Sequence, residues 1–190
     1  MRVGVLALQG AFIEHVRKLE ELGIDAYELR KSEDLEMSLD GIVLPGGEST
    51  VQMKLLNGLG MHDTLENMIL SGVPVLGTCS GLILLASGIE EQEEVCFATM
   101  PVRVRRNAYG RQLGSFHTLG TVEGIGDVEM TFIRAPVVTE CGSGVEILSR
   151  VRDDIVAVRY KRQYALSFHP ELESTADAEW IYRCVFFSHS

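Results

Sequence analysis

The sequence has few of the features that mark secreted, membrane-spanning or nucleic-acid-binding proteins. Its four cysteines are widely scattered and form no Cys-x-x-Cys pair. No run of about 18 apolar residues could form a membrane span, and the first apolar run, Val3–Leu8, is too short for a signal-peptide core. A formal net charge of −10 argues against the basic face that nucleic-acid binding requires. These absences predict a cytoplasmic protein with free thiols and without nucleic-acid or membrane partners.

The first half of the chain alternates strand-like and helix-like segments. Short apolar runs predict strands at Val3–Leu8, Ile24–Leu29, Gly41–Leu44 and Val73–Leu76. Helical spacing predicts helices over Phe12–Leu22, Val51–Leu56, Leu65–Leu70 and Leu82–Ala86. Such alternation is typical of an α/β fold: a three-layer sandwich in which helices cover both faces of a mostly parallel sheet.

The second half is richer in strands. Short β-like runs separated by turn residues lie at Val102–Val104, Thr131–Ile133, Val145–Leu148, Ile155–Tyr160 and Tyr164–Phe168. Because no helices intervene, we expect antiparallel hairpins added to the sheet. Ala176–Phe187 predicts a last helix. With no linker or repeat in its 190 residues, the chain is expected to form one domain over residues 1–190.

The segment Gly77-Thr78-Cys79-Ser80-Gly81 joins a predicted strand to a predicted helix. It follows the logic of a nucleophile elbow with cysteine in place of serine, because the crowded turn needs small neighbours. The start of the helix favours a thiolate at Cys79. A buried structural cysteine is the alternative, and it is the interpretation that we favour for Cys96, Cys141 and Cys184.

A base for this nucleophile is found in Phe168-His169-Pro170-Glu171, at the end of the last predicted strand. Residues two apart in an extended segment project to the same side, so Glu171 can orient the imidazole of His169. A surface His-Pro turn with a solvated glutamate is the alternative. Together with the cysteine elbow, the pattern favours a catalytic triad of Cys79, His169 and Glu171.

A glycine-rich loop, Pro45-Gly46-Gly47-Glu48, ends the third predicted strand. Glycines allow backbone amides to approach a ligand closely. Such a loop suits an oxyanion hole formed by the amides of Gly47 and Ser80. It could equally be a tight turn or a phosphate-binding loop, although no Gly-Lys-Ser/Thr sequence follows.

In combination, these elements resemble the class I glutamine amidotransferases, which have a Cys-His-Glu triad on a flavodoxin-like fold. More closely, the chain resembles the PdxT family, the glutaminase subunits of pyridoxal 5′-phosphate (vitamin B6) synthase. The matching stretches lie at Gly4–Phe12 with Glu14-His15, Leu44–Thr50, Gly77–Cys79, Arg106–Gln112, Phe132–Pro136 and Ser167–Leu172.

This resemblance implies an enzyme that hydrolyses L-glutamine to L-glutamate and ammonia. It implies substrate-binding roles for Gly47, Glu48, Ser49, Arg106, Ile133 and Arg134. It also implies a partner, a synthase subunit of the PdxS type in a large hetero-oligomer, which docks near Leu8–Glu14 and switches the glutaminase on. Neither a metal nor an organic cofactor is expected.

The chain departs from the family pattern at three places. Ser80 replaces a usual alanine, His117 stands where an acidic residue is expected, and Glu173-Ser174-Thr175 replaces the usual sequence after Leu172. Three alternatives remain open: a glutaminase of another pathway, such as imidazole glycerol phosphate synthesis, a non-catalytic scaffold protein, and a different cysteine protein with an elbow. The family-specific stretches argue against the first, and the complete triad argues against the second.

Overall fold

The computed structural model describes residues 1–110 and 114–187, and within them twelve strands and five helices. The strands are β1 (Arg2–Leu6), β2 (Asp25–Leu29), β3 (Gly41–Leu44), β4 (Val75–Thr78), β5 (Ala86–Ile89), β6 (Met100–Arg105), β7 (Ser115–Val122), β8 (Gly126–Ile133), β9 (Val137–Cys141), β10 (Glu146–Val151), β11 (Asp154–Tyr160) and β12 (Gln163–Leu166). The helices are α1 (Phe12–Glu21), α2 (Ser49–Gly58), α3 (His62–Leu70), α4 (Ser80–Leu85) and α5 (Thr175–Phe187). Of these helices, none combines the length and the apolar character needed to cross a membrane.

Ten strands form one sheet in the order β2-β1-β3-β4-β12-β11-β9-β6-β5, with β10 paired to β11. The first five strands in this order run parallel to their neighbours. From β12 onward the pairs are antiparallel, except for the parallel pair of β5 and β6. This confirms the predicted α/β fold with a mostly parallel centre and antiparallel additions.

Each face of the sheet has its own apolar core, because side chains alternate along a strand. On β3, Ile42 and Leu44 face a core shared with α2, α3 and α4, whereas Val43 faces a core shared with α1 and α5. All three side chains are fully buried. A strand that is buried on both faces has a continuous apolar sequence, and this pattern predicts β3 from the sequence.

Three strands were not predicted: β5, β7 and β9. Ala86 was assigned to a helix, but it leaves α4 with extended torsion angles (φ −62°, ψ 139°) and begins β5. Exposed and buried residues alternate along Ser115–Val122, so this strand lacks the apolar run that indicated the others. It pairs with β8 in a separate two-stranded sheet.

The parallel pairs bring three loops to one edge of the sheet. Strands β3, β4 and β12 are neighbours, and Leu166 at the end of β12 is in register with Thr78 at the end of β4. Their carboxyl ends lead into the glycine-rich loop, Cys79 and His169, respectively. In open α/β sheets this edge is where ligands bind.

Candidate active site

Cys79 occupies a strained turn between β4 and α4. Its φ of 50° and ψ of −102° are rare for a residue with a side chain, and such strain costs about 1–3 kcal/mol. The turn is possible because the adjacent glycines are crowded: a Cβ on Gly81 would lie 2.1 Å from the carbonyl oxygen of Leu44. A Cβ on Gly77 would lie 2.8 Å from the carbonyl carbon of Gly81. The sequence therefore allows a conformation that holds the thiol at the end of the sheet.

His169 lies against Gly46 and beside Cys79. A Cβ on Gly46 would come within 2.4 Å of the imidazole Cε1 and 3.4 Å of the Cβ of Cys79, so both side chains flank this glycine. The imidazole lies beside the Cys79 side chain on one side and, through Nδ1, hydrogen-bonds with Oε1 of Glu171 at 2.7 Å on the other. Since a carboxylate only accepts, Nδ1 carries a proton. The other nitrogen, Nε2, is buried and makes no hydrogen bond to any described residue.

The sequence predicted that an extended segment brings Glu171 to His169, and this local geometry is wrong. Pro170, Glu171 and Leu172 form a 3-10 turn. Proline has no N–H to continue a strand, and its fixed φ suits the first position of a helical turn. The predicted contact is present, but the backbone that makes it is different.

Burial and charge set the protonation of this pair. Burial lowers the pKa of His169, but the contacts with Cys79 and Glu171 outweigh it and raise the pKa to about 10. Burial raises the pKa of Glu171, and the neighbouring imidazoles of His15 and His169 outweigh it, so the net shift is downward. An imidazolium held between a sulfur and a carboxylate is the arrangement that acid–base catalysis at a thiol requires.

A buried network missed by the sequence analysis supports Glu171 from behind. The Nε2 atom of His15 lies 3.3 Å from Oε2 of Glu171 and 3.1 Å from Oγ1 of Thr78, and Nδ1 lies 2.6 Å from the Tyr182 hydroxyl. Burial lowers the pKa of His15, against the opposing attraction of Glu171. The hydroxyls of Tyr182 and Thr78 can each donate or accept, so His15 hydrogen-bonds through both ring nitrogens. The sequence did contain a signal for this network: His15 lies four residues before Leu19 and therefore on the buried side of α1.

A second network holds the glycine-rich loop. The fully buried side chain of Gln52 donates from Nε2 to the carbonyl oxygens of Gln9, at 3.0 Å, and Pro45, at 3.2 Å. The Ser80 hydroxyl donates to Oε1 of Gln52 at 2.6 Å, and the Glu48 amide donates to Oε1 of Gln9 at 2.7 Å. The hydroxyl of Ser80, where the family resemblance predicts alanine, thus links the elbow to the glycine-rich loop through Gln52. Gln52 was not predicted, although its polar side chain follows Ser49 and precedes Leu56 on the buried face of α2.

These elements surround a pocket of about 690 Å³, a typical size for a small-molecule site. The predicted residues that line it are Gly47, Glu48, Ser49, Cys79, Ser80, Arg106, Ile133, Arg134 and His169. Glu171 lies outside the lining, behind His169. Arg111 and Gln112, part of one family-like stretch, lie outside the described residues.

Charged groups stand at the mouth of this pocket. Arg106 donates from a guanidinium nitrogen to Oε1 of Glu48 at 2.6 Å. Burial raises the pKa of Glu48, but hydrogen bonds from Thr50 and Arg106 outweigh it, and the net shift is downward. Arg134 has a φ of 45°, and its amide donates to the carbonyl oxygen of Gly114 at 2.5 Å. The pocket lining therefore includes a carboxylate, two arginine residues and a thiol.

Comparison with known proteins identifies the relatives of this chain. The model of the SNO glutamine amidotransferase family matches residues 5–185. A pyridoxal 5′-phosphate synthase subunit PdxT from Desulfitobacterium hafniense strain Y51 is 58% identical over 90% of this chain and 86% of its own length. The protein of the same name from Methanocorpusculum labreanum is 54% identical over 90% of both chains.

Solved structures give the same result. A crystal structure described as that of a glutamine amidotransferase superposes with a TM-score of 0.88 at 44% identity and covers 95% of both chains. Another glutamine amidotransferase, from Thermotoga maritima, has a TM-score of 0.65 at 16% identity over 97% of this chain and 82% of its own. At that identity the second likeness shows a shared fold alone.

Proposed function

Because this chain belongs to the SNO glutamine amidotransferase family, we propose that it is the glutaminase subunit of a pyridoxal 5′-phosphate synthase. It hydrolyses L-glutamine to L-glutamate and supplies the ammonia for vitamin B6 synthesis. The observation that carries this proposal is that Cys79, on its strained turn, and the imidazole that Glu171 holds flank the same glycine, Gly46. The whole chain, residues 1–190, acts as one amidotransferase domain.

The reaction starts when the sulfur of Cys79 attacks the side-chain amide carbon of glutamine, with His169 as the protonated partner. The amides of Gly47 and Ser80 stabilise the resulting oxyanion. The proton on Nε2 of His169 passes to the leaving nitrogen, and ammonia departs from a γ-glutamyl thioester. His169 then takes a proton from water, which attacks the thioester, releases glutamate and regenerates the thiolate. Glu171 keeps Nδ1 protonated throughout.

The charged groups at the pocket mouth suit the zwitterionic end of glutamine. The guanidinium of Arg106 matches the α-carboxylate, and the carboxylate of Glu48 matches the α-ammonium group. In the unliganded protein these two side chains satisfy each other. Gly47, Ser49, Ile133 and Arg134 line the remainder of the substrate site.

A synthase subunit of the PdxS type receives the ammonia in a large hetero-oligomer. It docks near Leu8–Glu14, a segment that is directly coupled to the glycine-rich loop. Gln9 accepts hydrogen bonds from Glu48 and Gln52, and the Ala11 amide donates to the Gly46 carbonyl oxygen at 2.9 Å. A partner that moves this segment therefore moves the oxyanion-binding loop. The four free cysteines suit the expected cytoplasmic location.

Glutamate release from glutamine, measured with and without the synthase subunit, tests this function. The wild-type chain should release glutamate at a rate that the synthase raises, and Cys79→Ala should release none above background. Cys141→Ala is the matched control, because this exposed thiol lies outside the pocket lining, and it should behave as wild type. Undiminished turnover by Cys79→Ala would exclude Cys79 as the nucleophile, and turnover unaffected by the synthase would exclude partner control.

A further inference from the structure

Outside the active-site pocket, three potential metal ligands converge where the β7–β8 hairpin meets the end of the 3-10 turn that contains Glu171. His117 comes from β7, Glu129 from β8 and Glu173 from the residue after the 3-10 turn. One donor atom from each lies within 4.8 Å of the other two. His117 is directly opposite Thr131, and Glu129 precedes Thr131 by two residues on β8, so both point from the same face of the hairpin.

Glu173 is the member of this cluster that most needs a partner. It is only 9% exposed, and its Oε1 atom is buried with no hydrogen-bond partner among the described residues. That oxygen lies 3.7 Å from Nδ1 of His117, too far for a hydrogen bond. Burying a carboxylate oxygen away from water is unfavourable unless a cation or a donor compensates it. Here it points at an imidazole and a second carboxylate.

The spacing fits a bound divalent ion better than direct contacts. Nε2 of His117 lies 3.7 Å from Oε2 of Glu129, within the 4.8 Å that spans one ligand atom from each of the three residues. Two ligands about 2.0–2.2 Å from a tetrahedral zinc ion lie about 3.3–3.6 Å apart. Small side-chain adjustments therefore suffice to place an ion between the three groups. Without an ion, Glu129 and Glu173 would bring two carboxylates to one imidazole.

A neighbouring hydroxyl completes the arrangement. Nδ1 of His117 lies 3.0 Å from Oγ1 of Thr131, and such a partner orients the ring of a metal-bound histidine through the nitrogen that does not bind the ion. About half of the His117 side chain is exposed, so the ring can turn to present either nitrogen. The exposed side also leaves room for water as a further ligand.

We propose that His117, Glu129 and Glu173 form a binding site for a divalent transition metal ion of the zinc type. One imidazole and two carboxylates suit this class of ion. The site is separate from the glutaminase chemistry, and the inference does not depend on the proposed function. Its position is nonetheless significant, because the His169 amide donates to the Thr131 carbonyl oxygen at 2.9 Å. A bound ion would fasten the hairpin to the segment that carries His169 and Glu171.

Isothermal titration calorimetry with zinc chloride tests the site directly. The parent protein for this experiment is Cys79→Ala/Cys141→Ala, which removes the pocket thiol and the exposed thiol as competing zinc ligands. One zinc ion should bind per chain. Glu173→Gln and His117→Ala should each weaken binding at least about ten-fold, as the loss of a direct ligand requires.

Asp63→Asn is the matched control, because His62 and Asp63 form another histidine–carboxylate pair, with 2.9 Å between Nδ1 and Oδ1, but have no third ligand among the described residues. It should leave zinc affinity unchanged. Zinc should also raise the unfolding temperature of the parent and of Asp63→Asn, but not that of Glu173→Gln. The proposal is overturned if the parent shows no saturable zinc binding, or if Glu173→Gln binds zinc as tightly as the parent.

Discussion

The imidazole of His169 packs closely against Gly46, and Gly46→Ala should therefore slow the reaction by a predictable amount. The added Cβ would lie 2.4 Å from Cε1 of His169, whereas carbon atoms in contact are about 3.5–4.0 Å apart. The ring must therefore move by about 1 Å. A displacement of that size in a catalytic group can cost about 100-fold in rate, or about 2.7 kcal/mol in activation free energy.

The assay is the initial rate of glutamate release in the presence of the synthase subunit, with thermal unfolding followed in parallel. The folded structure should survive, because the nearest atoms to the added methyl belong to the side chains of His169 and Cys79 rather than to backbone. Gly58→Ala is the matched control: its Cβ would meet nothing within 4 Å at the end of α2. A kcat for Gly46→Ala within about two-fold of wild type would refute the placement of His169 on which the magnitude rests.

Two further predictions concern the buried groups behind the thiol. Glu171→Gln should lower the pKa of His169 from about 10, because the carboxylate stabilises the protonated form of the imidazole. Titration of the His169 ring signals by NMR measures this change. The stability that the protonated His169 contributes is complete below the pKa of the unfolded chain, about 6.5, and is lost as the pH rises through the pKa of the folded protein. A His169 titration that is unchanged in Glu171→Gln would contradict the pairing of these two residues. Tyr182→Phe should lower the free energy of unfolding in urea by about 1–3 kcal/mol, since its buried hydroxyl pairs with His15. Tyr27→Phe, on an exposed side chain, should change it by less than about 0.5 kcal/mol, and equal effects would argue against the network.

The parallel half of the sheet could be predicted because its strands are buried on both faces. Gly41–Leu44, for example, is a continuous apolar run and was predicted with its observed boundaries. The antiparallel half was harder, because Ser115–Val122 has one solvent face and many polar residues. The local geometry at Pro170 was also missed, since the sequence does not distinguish an extended segment from a 3-10 turn when both bring Glu171 to His169.

At the site, the sequence indicated the residues whose types carry chemistry but not those that hold them. Cys79, His169 and Gly47 stand out from glycine spacing and from the His-Pro-Glu motif. Gln52 and Tyr182 act through contacts 43 and 167 residues apart in the chain, with Gln9 and His15 respectively. Such contacts depend on the packing of separate elements, which no local pattern encodes.

The central claim, that Cys79 is the nucleophile for glutamine, is tested most directly by covalent labelling. The protein, with its synthase partner, is incubated with an electrophilic diazoketone analogue of glutamine, and the labelled peptide is identified by mass spectrometry. We predict a single label on Cys79, prevented by excess glutamine, with no label on the other three cysteines. Labelling of Cys96, Cys141 or Cys184 instead, or labelling of Cys79 that glutamine does not prevent, would contradict the account.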